Sequence, residues 1–306
     1  MLPDLASPPT AWPLKTRELQ NHHMDSTIWN GFRYRGDDIV IATYGKAGTT
    51  WVQQIVAQLV FLGDPGLSVA ALSPWVEFRV APAGSTLAKL EAQTHRRILK
   101  THLPVDALAF SPQAKYLYIG RDGRDVLMSW YHHHQSITNF FYLGLNGTPG
   151  RVGPPLDPPD PDPRRYFQTW LARDGHPIWP FWDNLRGWWE ARRLPNVHVL
   201  HFNGLKADLE GEARRIAAFL EIQVPEARWP AILEYCTFAF MKSHAAQMAP
   251  LGGAPFRGGA GSFIHQGTNG RWREILTPAD SAAYEDRALA ELGPEAARWL
   301  ATGEGA

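Results

Sequence analysis

One cysteine, Cys236, is the whole thiol content of this 306-residue chain. A lone thiol excludes an intrachain disulfide and a cysteine-rich metal site. A reducing, cytoplasmic setting fits. An excess of either charge is missing as well, because 30 Lys and Arg balance 30 Asp and Glu. With zero net charge there is no global basic field, and no nucleic-acid partner is expected. Any polyanionic ligand must then be held by a local cluster. Long apolar runs are also absent. The longest apolar-looking stretch, 51–62, is interrupted by Gln53, Gln54 and Gln58 and is too short and polar to span a bilayer. The first residues lack a basic start followed by an apolar run, so no signal peptide is expected. Residues 1–15 read as a loose arm and 301–306 as a tail.

What remains is a globular composition, 44% hydrophobic and 20% charged, long enough for one substantial core. Short apolar runs predict strands at 39–44, 98–101, 115–119 and 197–202. Helical periodicity marks 49–62, 122–133, 179–193, 209–220 and 278–292. Strands alternating with helices predict an α/β domain, 16–300, with a mostly parallel central sheet flanked by helices. The spacing of Trp179, Trp182 and Trp189 suits core packing of a helix. Residues 149–163 carry seven prolines and read as a surface loop, with a lid as the alternative. Residues 249–261 are glycine-rich and are expected to be mobile.

The most informative stretch is 39–51. Ile39–Ala42 suits a buried strand, Tyr44–Gly48 is a turn with two glycines, and Thr49 and Thr50 open a helix. Backbone N–H groups and the helix dipole converge at such a junction and make an anion site. Lys46 adds a full charge. The lysine precedes the second glycine, which is the wrong order for a Walker A loop. A second constellation is Ile98-Leu99-Lys100-Thr101-His102-Leu103-Pro104. In extended chain Lys100 and His102 point to the same face and can address one reacting centre. A third, 116–129, is a strand, a polar turn and a helix, with Arg121 at the strand end and Ser129 two turns into the helix. His132, His133 and His134 are consecutive, so they diverge around a helix and make a poor metal site. No metal is expected. His22 and His23 read as polar or pocket-lining surface in the same way.

Tyr44-Gly45-Lys46-Ala47-Gly48-Thr49-Thr50-Trp51 resembles the Tyr-Pro-Lys-Ser-Gly-Thr-Thr-Trp signature of the cytosolic-type sulfotransferases. Lys100-Thr101-His102-Leu103-Pro104 is similar to that family's Lys-Thr-His-Leu-Pro without a change. The resemblance implies a P-loop-like phosphosulfate-binding loop and 3′-phosphoadenosine 5′-phosphosulfate (PAPS) as sulfonyl donor. It implies that His102 is the general base and that Lys46 and Lys100 stabilise the transferring group. Lys46, Ala47, Gly48, Thr49 and Thr50 would hold the phosphosulfate, and Ala47 removes one hydroxyl that the family's serine supplies. Arg121 and Ser129 match the pair that grips the 3′-phosphate. Cys236-Thr237-Phe238 resembles an adenine-side segment, so Trp51 and Phe238 would sandwich the base. Phe202 stands where the family often has a tyrosine. In residues 263–273 the frame Gly-x-x-Gly-x-Trp is kept, with Gly267 in it, but His265 and Gln266 replace an arginine and a lysine. Arg271 and Arg257 are the two candidates for the missing charge.

The acceptor would be a small aromatic or hydrophobic molecule with a hydroxyl or amine, and Trp75, Tyr131 and His133 are the pocket candidates. A P-loop-type nucleotide kinase and a catalytically degenerate PAPS-binding protein are the alternatives. A homo-oligomer is allowed but not indicated, since the family's C-terminal dimer motif is only echoed by Arg273 and Thr277 and is broken at Pro278 and Ala282.

Overall fold

The computed structural model describes residues 11–82 and 84–305, so most of the expected arm and the last residue of the tail lie outside the described residues. Four short strands build the sheet: β1 (Ile39–Thr43), β2 (Ile98–Thr101), β3 (Lys115–Gly120) and β4 (Val197–His201). Their order is β2-β1-β3-β4 and every pair is parallel. Alternate side chains leave by opposite faces. Val40, Ala42, Leu99, Tyr116 and Tyr118 enter a tryptophan-rich core, whereas Ile39, Ile41, Ile98, Leu117 and Ile119 enter an aliphatic one.

Helices cover both faces. α1 (Thr49–Val60) puts Val52, Ile55, Val56 and Leu59 into the aliphatic core, joined there by Ile216 of α4 (Leu209–Phe219). The other face takes α2 (Gly123–Ser136), α3 (Trp182–Ala191) and α5 (Pro278–Thr302). Trp182 and Trp189 of α3 are buried there, as their spacing predicts, and Trp188 with them, whereas Trp179 is buried just before the helix. Each such side chain contributes about 1.5–3 kcal/mol relative to exposure. α5 starts at a capping box made by Thr277 and Asp280. It continues past the expected end at 292, across a break at Gly293, where φ is 74°. A glycine there and Pro294 behind it hide the second half from a periodicity reading.

Two features set the register. At the amino ends of β1 and β2, Arg97 donates to both oxygens of Asp38, at 2.7 and 2.6 Å, with neither side chain exposed. This paired, fully satisfied ion pair pins the strands together. At the other end Ala42 stands opposite Thr101, and Thr43 opposite Ile119. The loops that follow β1, β2 and β3 therefore emerge side by side. Ligands of open α/β sheets bind outside these carboxyl ends.

Residues 151–162 hold no regular element, and none of 149–163 lines the main cavity. Residues 249–261 form a 3-10 turn and the start of a short helix, and Leu251 and Phe256 reach the cavity.

Candidate active site

A cavity of about 610 Å³ opens at the carboxyl ends of β1, β2 and β3. Its floor is the turn into α1. Gly48 has a φ of 126°, and a Cβ there would stand 2.9 Å from Ile119 Cδ1, so only glycine fits. No side chain caps α1 at this position, and Gly48, Thr49 and Thr50, at its uncapped start, line the cavity. Gly45, where the resemblance expects proline, lies under Trp130, and a Cβ would meet Trp130 Cζ2 at 2.4 Å. The bulky indole explains the departure.

Basic groups converge above this turn. Lys46 takes a left-handed backbone (φ 70°), and its Nζ comes within 3.4 Å of His133 Nδ1. Burial, helped by Lys100 and Arg121, pushes the Lys46 ammonium down to about 7. Lys100 lies over the Trp75 ring and is pushed down to about 8 by burial, with Glu77 opposing. Arg121, at the end of β3, donates from Nε to Asn269 at 2.9 Å and from Nη2 to the Thr268 carbonyl at 2.9 Å. Its guanidinium stacks 4.2 Å from the Phe202 centroid. Phe202, where the resemblance expects a tyrosine, thus makes a cation–π contact with Arg121.

His102 follows β2 directly. Its Nδ1 lies 2.8 Å from the Thr43 carbonyl oxygen, which can only accept. The proton therefore sits on Nδ1, and Nε2 carries the free lone pair of a ring that lines the cavity. Burial, then the Lys100 charge, hold the imidazole neutral, well below its usual pKa. The ring is edge-on to Trp75 at 4.7 Å and stacked near Trp179 at 5.9 Å.

The remaining expected residues divide clearly. Thr49, Thr50, Ser129 and His133 line the cavity, as do Trp75, Trp51 and Phe238. Trp51 is oriented by its Nε1–H, which donates to the Cys236 carbonyl at 2.8 Å. Gly267 packs against the Phe238 ring. His265 and Gln266 also line the cavity, and Arg271 reaches both, with Nη1 at 3.3 Å from His265 Nδ1 and 3.1 Å from Gln266 Oε1. Of the two candidate arginines, Arg271 is at the cavity. Arg257 donates to Asn139 outside it. Asp125 holds the loop by accepting from the Gly270 N–H at 2.7 Å.

Two expectations need correcting. Ala47 is 2% exposed and packs into the tryptophan-rich core, because the turn points its Cβ inward. Tyr131 lies off the cavity, its hydroxyl donating to the Pro161 carbonyl at 2.7 Å. One residue step on α2 rotates the side chain by about 100°, and at Tyr131 this carries the ring away from the cavity toward Pro161. The three histidines of α2 diverge for the same reason, with His132 on His265, His133 at Lys46 and His134 near Tyr166.

The sequence reading missed Glu77. This unexposed carboxylate accepts from Trp29 and Trp75 Nε1, from Thr101 Oγ1 and from the His102 backbone N–H, at 2.6–3.0 Å. It ties β2's end to the cavity wall. A lone glutamate two residues after Trp75 carried no periodic or motif signal. Thr43 was missed for the same reason, whereas Trp179 was read by its spacing as helix core but precedes the helix and lines the cavity.

An uncapped helix start with convergent cations beside a neutral imidazole is the equipment of a group-transfer enzyme that handles an anionic donor. Residues 36–293 match the sulfotransferase domain model, and the chain belongs to this family of PAPS-dependent sulfotransferases. A glycolipid sulfotransferase of Mycobacterium tuberculosis is 28% identical over 301 residues, covering 91% of this chain and 92% of that protein. Human sulfotransferase 1C2 is 29% identical, covering 83% of each chain. The fold is also that of mouse sulfotransferase SULT7A1 complexed with PAP, with a TM-score of 0.68, 20% identity and 90% of each chain covered.

Proposed function

We propose that this enzyme moves the sulfonyl group of PAPS to a hydroxyl (or amine) of a small aromatic or hydrophobic acceptor in the cytoplasm. The observation that carries this is His102, whose Nδ1–H donates to the Thr43 carbonyl and so leaves Nε2 free to take a proton, beside Lys46 and Lys100. The acceptor oxygen attacks sulfur as its proton passes to Nε2. The S–O bond to the bisphosphate breaks, and the leaving group keeps the electron pair. Lys46, Lys100 and the N–H groups at the start of α1 stabilise the negative charge that develops. Arg121, Ser129 and Arg271 hold the 3′-phosphate, and Trp51 and Phe238 flank the adenine.

The cavity wall of Trp75, Trp179 and Phe141 supports a flat apolar acceptor. A second reading, an acceptor with a long apolar tail, is favoured by Phe140 and Leu251. They line the mouth and are 83% and 78% exposed. The mycobacterial relatives' name fits this reading. Labelled PAPS, offered with phenols, sterols and glycolipids, separates the two. Label on phenols alone supports the first reading and label on glycolipids alone the second. No label on any acceptor, together with no binding of the product 3′-phosphoadenosine 5′-phosphate (PAP), would refute the transfer itself.

A further inference from the structure

The acceptor end of the cavity holds a second histidine that the transfer chemistry leaves unused. His23 lines the cavity and is 3% exposed. It packs on the same two indoles as His102, with centroids 6.1 Å from Trp75 and 5.8 Å from Trp179. Its backbone is fixed on both sides. The Asn21 side chain accepts from the N–H groups of His23 and Met24, and the His23 carbonyl accepts from the Arg79 N–H.

The ring's tautomer follows from its neighbours. His22 Nε2 lies 2.9 Å from the Pro177 carbonyl oxygen, which can only accept, so His22 carries its proton on Nε2. A neutral His22 then has a bare Nδ1. That Nδ1 meets His23 Nδ1 in a direct hydrogen bond, so His23 must supply the proton. His23 is left with a bare Nε2, which has no hydrogen-bond partner among the described residues. Burial favours the neutral form of both rings, pushing His22 down to about 4 and His23 well below its usual value.

We propose that His23 Nε2 is a second anchor for the acceptor and accepts a hydrogen bond from a second hydroxyl or N–H on it. The preferred acceptors are then rigid apolar molecules with two donor groups, one presented to His102 and the other to His23. A molecule with one hydroxyl leaves a lone pair desolvated and unmatched. A site built to receive a donor discriminates against the analogue that lacks it. The inference rests on the acceptor cavity of the proposed transfer, but it is read by binding and by tautomer, neither of which needs turnover.

The test uses the full chain saturated with PAP. Hydroquinone is compared with phenol, and 4,4′-biphenol with 4-phenylphenol, by calorimetric titration. At least one diol is expected to bind about tenfold tighter than its partner, the scale of one hydrogen bond. His23→Phe, which keeps a flat ring, is expected to bring that pair to equal affinity. His22→Phe frees the His23 tautomer and should give an intermediate preference, which serves if His23→Phe does not fold. Nitrogen-15 spectra of the unmodified protein should show His23 protonated on Nδ1 and His22 on Nε2. Equal affinities within both pairs in the unmodified protein, or a His23 protonated on Nε2, would overturn the proposal. Failure of sulfonyl transfer with intact diol selectivity would instead overturn only the reaction assigned above.

Discussion

Individual side chains in this site are held by partners that fix which atom is reactive. The Thr43 carbonyl leaves His102 with one free nitrogen. Replacing His102 by alanine should lower kcat by about 10²–10⁴-fold, the usual loss of a general base. PAP affinity should stay within a few-fold, and near-normal single-turnover rates would remove His102 from the mechanism. Where the resemblance expects two charged residues, the chain has His265 and Gln266, and Arg271 sits on both. Arg271→Ala should weaken PAP by about ten- to a hundredfold, the worth of a hydrogen bond to a charged group. Arg257→Ala should leave PAP affinity unchanged, because Arg257 is turned to Asn139. The Arg271 effect should disappear for adenosine 5′-phosphate, which has no 3′-phosphate. A loss of the same size for both nucleotides would place Arg271 elsewhere on the ligand.

Elements carry the site because three loops leave the sheet at one level. The elements were legible where residues obey a period or form a short apolar run, whereas strand order and register were not. β1 to β4 follow from short apolar runs, and the helices at 49–60, 123–136 and 182–191 from helical spacing, each within about three residues of its expected bounds. The strand–turn–helix at 39–51 and the Lys100–His102 pair were equally visible, being local in sequence. What could not be read was contact between distant segments. Glu77 meets Thr101 and His102, Trp179 faces Trp75, and Trp130 fills the space over Gly45, yet none of these pairs is local. The Gly45–Trp130 packing gives an element-scale prediction. Gly45→Ala drives a Cβ into the indole and should lower stability by about 1–3 kcal/mol, the range for overpacking. Combining it with Trp130→Phe, a smaller ring, should cost less than the two single changes added together. Chemical denaturation of the four proteins measures this coupling, and strict additivity would mean that the turn relaxes away from α2 instead.

The whole molecule is electrically neutral, yet its cavity gathers cations whose mutual repulsion and desolvation are visible as displaced pKa values. Lys46 at about 7 and Lys100 at about 8 are only partly charged in weak alkali, while a bisphosphate supplies the countercharge that both lack. Binding PAP should therefore push both ammonium groups back up and draw protons from solution. At about pH 8 the free protein has Lys46 mostly neutral and Lys100 half charged, so uptake should be about one to one and a half protons per PAP bound. By linkage, uptake at alkaline pH means that affinity falls as pH rises. Between about pH 8 and 9 the association constant should drop at least tenfold. Calorimetric titration in two buffers of different ionisation enthalpy reads the proton count directly. Lys46→Arg, whose guanidinium stays charged, should reduce the uptake by close to one proton and flatten the pH profile. No uptake near pH 8, with an affinity constant across that range, would mean that the neutral chain keeps both lysines charged without a ligand. The electrostatic case for an anion site at this turn would then rest on the helix start and Arg121 alone.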